Sequence, residues 1–167
     1  MTNVIRALLV LLSSSAFADT DVHFGRGVAG CLWGVSLQEV QGKYPGGFAW
    51  SHQPNEPNGE VTYAVSGTFT VPGVEVPSRL VHFIFSKDNG LQTVIYHFNP
   101  ADREAVLYQV AQLLGQDYSI RDQALSRRYE WKPGQLAFAR YEIGNGPNEP
   151  WAFFGVRTMK DCKSRSK

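Results

Sequence analysis

Two alternating apolar segments, residues 80–86 and 91–98, constrain the fold most strongly, because Asn89 and Gly90 stand between them. An Asn-Gly pair between such segments favours a two-residue type I′ turn and therefore a β-hairpin. That turn would pair three apolar residues of one segment with three of the other: Phe85 with Val94, Phe83 with Tyr96 and Val81 with Phe98. A three-residue turn would mix polar and apolar neighbours, so we predict the register that keeps one face apolar.

Capping signals mark two helices. Ser36 and Glu39 have the spacing of a capping box, and the Pro-Gly-Gly sequence at 45–47 predicts that this helix is short. The Asn-Pro pair at 99–100 begins a second helix, in which apolar residues recur at helical spacing until Gly115. Both helices therefore have an apolar side that can pack on a sheet.

Further strands are predicted on both sides of the second helix. Before it, residues 48–52 and 61–71 alternate between apolar and polar side chains, and three strands follow it. The order α-ββββ-α-βββ does not alternate single strands with helices, as parallel sheets require. We therefore predict an α+β fold with a mostly antiparallel sheet of about seven strands and both helices packed on one face.

The strands after the second helix include a predicted hairpin. Pro133-Gly134 favours a turn between two short apolar segments, and a last strand follows over residues 151–156. The hairpin would pair two aromatic residues with two apolar residues across the turn: Trp131 with Leu136 and Tyr129 with Phe138.

The chain is predicted to begin with a secretory signal peptide over residues 1–18. Arg6 precedes a short apolar stretch, and residues 16–18 read Ala-Phe-Ala, as at a signal cleavage site. The apolar stretch is shorter than the roughly 20 residues that cross a membrane as a helix, so we expect no transmembrane segment. These features predict a periplasmic or secreted protein.

The remaining chain is predicted to form one domain with two short extensions. Residues 19–30 are glycine-rich and aperiodic, which indicates a flexible N-terminal segment, and residues 163–167 belong to a basic tail. Residues 31–162 have the usual size of a single α+β domain.

The two cysteines, Cys31 and Cys162, lie near opposite ends of this domain. In an oxidising compartment such a pair is expected to form a disulfide. The C-x-x-C spacing that is typical of a redox pair is absent. We therefore predict a structural Cys31–Cys162 disulfide that closes almost the whole domain into one loop.

The charge of the chain argues against nucleic acid as a partner. Removal of the signal peptide leaves basic and acidic residues in equal number. Proteins that bind nucleic acid need a clustered excess of Lys and Arg, and the only basic cluster here is the tail.

The glycine-rich segment from Gly25 to Gly30 matches G-x-G-x-x-G, the motif of dinucleotide-binding proteins. That motif requires a strand before it, a helix directly after it and an acidic residue about 20 positions further on. The sequence offers none of these, so we predict no cofactor.

Two histidines of the central hairpin are a weak candidate for a metal site. In the predicted register His82 lies directly opposite His97. Zinc needs three or four protein ligands, and the sequence places no third ligand beside the pair. Half-exposed strand histidines, or a pair that responds to pH, are the alternatives.

No catalytic residue is predicted, because the chain contains neither G-x-S-x-G nor H-E-x-x-H. Five glutamates whose relative positions the sequence leaves open could supply a glycosidase-type pair: Glu56, Glu60, Glu130, Glu142 and Glu149. A periplasmic hydrolase therefore stays as an alternative to a protein without enzymatic activity.

The sequence Pro-Asn-Glu-Pro occurs at 54–57 and again at 147–150, each time close to a tryptophan. Proline stiffens a loop, and tryptophan is enriched at the hot spots of protein interfaces. We therefore predict a partner-binding edge marked by four residues: Trp50, Glu56, Glu149 and Trp151. Chance recurrence of residues that favour turns is the alternative.

Together these features favour an exported protein-binding module without enzymatic activity. The specific expectation is a periplasmic inhibitor or immunity protein that occludes a partner enzyme or toxin. An accessory factor for envelope assembly or transport is the second interpretation, since small helix-on-sheet domains also serve there. A rigid loop that covers an active site would need no catalytic residue of its own, which agrees with the missing motifs.

Overall fold

The computed structural model describes residues 23–51, 59–86, 90–131, 136–145 and 150–159. These residues form an α+β fold with one eight-stranded antiparallel sheet, two α-helices and a separate two-stranded hairpin. The predicted fold class is confirmed.

The elements follow the predicted order, with a short hairpin added before the first helix and one strand added after the second. In chain order they are β1 Gly27–Val28, β2 Cys31–Leu32, α1 Leu37–Lys43, β3 Phe48–Ser51, β4 Val61–Phe69, β5 Ser78–Ser86, β6 Gly90–Phe98, a 3₁₀ turn Pro100–Asp102, α2 Arg103–Leu114, β7 Tyr118–Asp122, β8 Ser126–Trp131, β9 Leu136–Asn145 and β10 Pro150–Thr158. Neighbours in the main sheet lie in the order β3-β4-β5-β6-β10-β9-β8-β7. Two four-stranded meanders, each preceded by a helix, therefore meet where β6 pairs with β10.

The added strand β7 forms the outer edge of the second meander. Four of its five residues are exposed, so its sequence carries little apolar periodicity. Its identity as a strand comes from pairing with β8, where Tyr118 lies opposite Trp131 and the two ring centroids are 5.2 Å apart.

The helices begin and end where the capping signals predict. Ser36 Oγ accepts a hydrogen bond from the Glu39 backbone N–H, and the Glu39 carboxylate accepts one from the Ser36 N–H at 2.7 Å. At the second helix the Asn99 side chain accepts a hydrogen bond from the Ala101 N–H and begins a 3₁₀ turn that leads into α2. Gly115 ends α2 with a φ of 89°, a value that glycine adopts without strain.

Both helices pack on the same face of the sheet, here called the core face. Tyr44, which follows α1, stacks on Phe83 of β5 with ring centroids 5.5 Å apart. Tyr141 of β9 donates a hydrogen bond to the carbonyl oxygen of Arg103 in α2 at 2.9 Å. Alternate strand residues are buried on this face, among them Val81, Phe83, Tyr96, Tyr141, Phe154 and Val156. Each such side chain contributes about 1.5–3 kcal/mol through removal from water, so this face holds the domain together.

The predicted register of the central hairpin is wrong by two residues. Phe83 lies opposite Val94 and not Tyr96, and Val81 lies opposite Tyr96 and not Phe98. Because the shift is even, both registers keep the same apolar residues on the core face. The apolar pattern alone could therefore not choose between them.

Contacts with the segment after β2 hold the start of β6. The Gly34 N–H donates to the Leu91 carbonyl at 2.9 Å, and the Leu91 N–H donates to the Val35 carbonyl at 2.9 Å. A Cβ at Gly90 would lie 2.4 Å from the Gly34 carbonyl oxygen, so only glycine permits this approach. An irregularity beside Phe85 then adjusts the register of the remaining pairs.

The predicted pairing of β8 with β9 is also wrong. Trp131 lies opposite Ala139, and Tyr129 lies opposite Tyr141, where the sequence predicts Leu136 and Phe138. This shift of three residues is odd, so it reverses the faces. Phe138 consequently points away from the core face, and Tyr141 takes the buried position from which its hydroxyl reaches α2.

The N-terminal segment is packed from His23 onward, where the sequence indicates flexibility. Phe24 is fully buried, and its ring centroid lies 5.8 Å from that of Phe154. The Trp33 indole N–H donates to the Phe24 carbonyl at 2.7 Å, which ties the segment to the core. Burial of this large aromatic side chain stabilises the segment by more than the flexibility of the neighbouring glycines destabilises it.

The glycine-rich motif in this segment serves a tight turn. Ala29 and Gly30, which connect β1 to β2, have φ values of 52° and 65°. Two successive positive φ values are what a type I′ hairpin turn requires. The motif is thus part of a hairpin.

Replacement of Phe24 with alanine should lower the free energy of unfolding by about 3–5 kcal/mol, because it leaves a cavity in the core. Replacement of the exposed Arg26 with alanine should change that free energy by less than about 0.5 kcal/mol. Urea unfolding of both variants and the wild type measures the difference. An effect of F24A as small as that of R26A would show that the segment does not pack on the core.

Candidate binding surface on the open face of the sheet

The second face of the sheet, here called the open face, carries the strand residues that alternate with the buried ones. Both helices and the N-terminal segment contact the core face, through Tyr44, Tyr141 and Phe24. On the open face most central side chains are half-buried rather than exposed. They are ordered by contacts with one another, which distinguishes this face from an ordinary solvated surface.

Five aromatic side chains form a continuous row across the open face, which we call the aromatic row. Phe48 and Trp50 of β3 lead to His82 of β5, then to His97 of β6 and to Phe153 of β10. Successive ring centroids along this row are 5.8, 5.5, 4.3 and 6.0 Å apart. The row therefore crosses from the edge of the first meander into the second.

A small residue on β4 permits the first part of the row. Ala64 lies between Phe48 on β3 and His82 on β5 in the cross-strand register. Because the alanine side chain is short, Trp50 can contact the His82 ring edge-on across β4, with an interplanar angle of 88°. A larger residue at this position would separate the rings.

The two histidines contact each other, although not in the predicted way. His82 lies opposite Ile95, and His97 lies opposite Leu80, so the histidines are diagonal neighbours and not a directly opposed pair. His97 Nε2 nevertheless lies 3.2 Å from His82 Nδ1, a hydrogen-bonding distance. Among the residues that the structure describes, no group of three or more His, Cys, Asp or Glu side chains could hold a metal ion.

His97 is uncharged at neutral pH. Burial of its ring, and secondarily the charge of His82, lowers the pKa of His97 to about 4. A neutral imidazole can donate a hydrogen bond to His82 or accept one from it, and it packs against Phe153 without the cost of a buried charge. At neutral pH the centre of the aromatic row is therefore mainly apolar.

Beyond Phe153, on strands β9, β8 and β7, the open face carries mainly charged residues. Glu142 lies opposite Phe153 in β9, and Arg128 lies opposite Glu142 in β8. Arg128 Nε contacts the Glu142 carboxylate at 2.8 Å, and its Nη1 lies 3.7 Å from Glu130. Arg121 on β7 pairs with Glu130 at 3.1 Å. With Arg140 of β9, we call these residues the charged cluster.

The predicted candidate residues are placed as follows. Trp50 and Trp151 both lie half-buried on the open face, on β3 and β10. Trp151 packs over Gly144 of β9, where a Cβ would lie only 2.3 Å from the indole ring. Glu56 and Glu149 lie outside the described residues.

Sequence analysis did not find Phe153 and Arg140. Both occupy outward positions on strands, which the alternation pattern assigns to solvent. The signal that could have revealed them is the aromatic or basic character of several outward positions on neighbouring strands. Without the register, no sequence pattern shows that those positions share one surface.

Of the three described glutamates that were considered for catalysis, two share one arginine. Glu130 and Glu142 both contact Arg128, as described above. Glu60 lies 3.6 Å from Arg157. This arrangement is that of an ion-pair network in which arginines compensate the carboxylates.

An open cleft of about 540 Å³ lies elsewhere, between the start of α2 and the β7–β8 connection. Its charged side chains include Asp122 and Arg127, which form an ion pair at 2.6 Å. The contact with Arg127 lowers the pKa of Asp122. The cleft has the character of a solvated surface with paired charges.

No helix in the described part of the chain has the length and apolar character needed to cross a membrane. Comparison with protein-family models, with curated proteins and with solved structures finds no match to this chain.

The uncharged state of His97 predicts a loss of stability in mild acid. An unfolded histidine titrates near pH 6.5, whereas burial and His82 hold the pKa of the folded one at about 4. As the pH falls from 7 to 5, the unfolded chain therefore gains a proton before the folded one does. Protonation of this histidine in the unfolded chain should lower the free energy of unfolding by about 2 kcal/mol between pH 7 and pH 5.

Urea unfolding of the wild type and of the H97Q variant at pH 7 and pH 5 measures this contribution. The variant should lose less stability on acidification than the wild type, because all other titrating groups remain in both proteins. Equal losses in the two proteins would contradict the assignment of a buried, neutral His97.

Proposed function

We propose that this chain is an exported protein-binding module without enzymatic activity and that the open face is its binding surface. The observation that carries the proposal is the aromatic row, in which rings from β3, β5, β6 and β10 are held in contact on the face opposite to the described helices. Aromatic residues and arginine are the residue types that contribute most to protein interfaces.

The dimensions of the face favour a protein partner over a small molecule. Eight paired strands at about 4.8 Å spacing give a surface roughly 35 Å across. Small molecules bind in concave pockets that enclose most of their surface, whereas protein partners bind over broad faces. The apolar part and the charged part lie side by side, which suits an interface that combines an apolar centre with polar surroundings.

Order within the face supports tight binding. The backbone of every strand is held by its neighbours, and side chains such as His97 and Glu142 are already restrained by contacts. A surface whose side chains are ordered before association loses less entropy when a partner binds. A rigid broad face can cover the entrance to an active site, and we therefore propose a periplasmic or secreted inhibitor or immunity protein.

Substitutions on the aromatic row test this function. Immobilised wild-type protein should retain one protein in about equal amount from the envelope fraction or culture supernatant of the producing organism. The W50A and F153A variants should each bind that protein at least about 10-fold more weakly, because they remove central apolar contacts.

The matched control is Y108A on α2, whose side chain is 65% exposed on the opposite side of the sheet. It should bind the partner as the wild type does. Equal retention by W50A, F153A and wild type would refute binding through the open face. Capture of a membrane-embedded assembly would favour an accessory factor, and capture of one soluble enzyme whose activity falls would favour an inhibitor.

The predicted disulfide provides an independent test of export. Cys31 is buried, and Cys162 lies outside the described residues. Strand β10 ends at Thr158, close to the start of β6. The start of β6 is hydrogen bonded to Gly34, three residues after Cys31. From Thr158, an extended chain of four residues, the separation of Thr158 and Cys162 in the sequence, reaches about 13 Å.

Thiol titration of the denatured, exported protein should detect no free thiol without reductant and two after reduction. Reduction should also lower the free energy of unfolding by about 2–5 kcal/mol. The C31S/C162S double variant should have the stability of the reduced protein. Detection of two thiols in the untreated protein would refute the disulfide.

A further inference from the structure

Arg140 differs from the other arginines of the open face because it forms no ion pair with a carboxylate of the described residues. Arg121, Arg128 and Arg157 each lie within 4.0 Å of a glutamate. Within the described ranges, Arg140 forms no ion pair, and its Nε is buried without a hydrogen bond. An arginine in this state keeps its charge, because guanidinium is protonated at all physiological pH values.

The position of Arg140 is fixed by its neighbours. The guanidinium carbon lies 4.4 Å from the centroid of the Phe138 ring, so the charged group rests on an aromatic face. Phe138 itself lies close to Gly155 on β10, where a Cβ would meet the ring at 3.5 Å. The absent side chain at Gly155, which lies opposite Arg140, leaves room for this arrangement.

Charges of both signs surround Arg140. Burial, and then the like charge of Arg128, lowers the pKa of Arg140, whereas Glu142 and Glu130, the residue opposite Arg140 in β8, act in the opposite direction. The described open face carries four arginines against three glutamates, Glu60, Glu130 and Glu142. The described part of this face therefore carries one net positive charge, and Arg140, beside the end of the aromatic row, is the arginine that forms no ion pair with a described glutamate.

We propose that the open face binds a protein segment that presents an aspartate or glutamate carboxylate to Arg140 and an apolar side chain to the aromatic row at Phe153. This inference rests on the proposed function and specifies the chemistry of the partner. Arg140 of β9 lies opposite Gly155 of β10, and Phe153 is two residues from Gly155 on the same strand. One short loop can therefore reach both Arg140 and Phe153. A carboxylate is the natural partner, because the planar guanidinium can donate two parallel hydrogen bonds to it.

A library of disulfide-closed peptides displayed on phage provides a defined probe. Selection on the wild-type protein should enrich loops that contain an Asp or Glu beside an aromatic or aliphatic residue. The dominant peptide is then synthesised with a fluorophore, together with its Asp→Asn or Glu→Gln analogue. Binding of both peptides to the wild type and to variants is measured by fluorescence anisotropy.

The R140M variant should bind the acidic peptide at least about 10-fold more weakly than the wild type, since it removes one partner of a charge pair at the interface. The neutral analogue should bind the wild type more weakly than the acidic peptide does, by a similar factor. Its affinity for R140M should be little lower than its affinity for the wild type, because both changes remove the same interaction. R127Q, on the other face of the sheet, is the control and should leave affinity unchanged. The measurement of the analogue on wild-type protein keeps the test valid even if R140M does not fold.

The outcomes separate this inference from the proposed function. Enrichment of loops whose binding requires Trp50 and Phe153, but which lack an acidic residue or ignore R140M, would overturn the carboxylate proposal alone. Absence of any peptide whose binding depends on Trp50 or Phe153 would count against the open face as a binding surface and so against both proposals.

Discussion

The pairing of β6 with β10 is the constraint on which the rest of the structure depends. Six residue pairs, from Ala152 opposite Phe98 to Arg157 opposite Thr93, join the last strands of the two meanders. Without this pairing each meander would leave an inner edge with unpaired backbone groups, which is unfavourable in a buried position. Joined there, the two meanders share one core face and one open face.

The two faces of this sheet are stabilised in different ways. The core face is closed by α1, α2 and the N-terminal segment, and its side chains are almost completely removed from water. On the open face, order comes from pairwise contacts: rings against rings in the aromatic row, and guanidinium against carboxylate in the charged cluster. The first face accounts for the stability of the domain, and the second leaves side chains positioned but still accessible.

This division also explains why the open face is divided into two chemical parts. The first meander contributes the apolar half, with His97 held neutral by burial, and the second contributes the four arginines together with Glu130 and Glu142. Phe153 belongs to the second meander but completes the row of the first, because β10 is the strand that pairs with β6. The boundary between the two parts lies between β10 and β9, and Arg140 stands at that boundary.

Local signals in the sequence determined the elements of the fold. The capping residues Ser36, Glu39, Asn99 and Gly115 place the helix ends, and alternation places most strands and their buried residues. These predictions succeed because hydrogen bonds at helix ends and the two-residue period of strands depend on neighbours along the chain. Trp50 and Trp151 could be selected as interface candidates from their residue type and their places beside the repeated Pro-Asn-Glu-Pro.

Only the tertiary structure decided which strands lie side by side and in which register. The β5–β6 register follows from the contacts of Leu91 with Gly34 and Val35, and the β8–β9 register places Tyr141 where its hydroxyl bonds to α2. These contacts join residues distant in the chain, and an even shift of register leaves the apolar pattern unchanged. The aromatic row and the charged cluster, with Arg140 in it, exist only once those registers are set, because each is assembled from side chains of different strands.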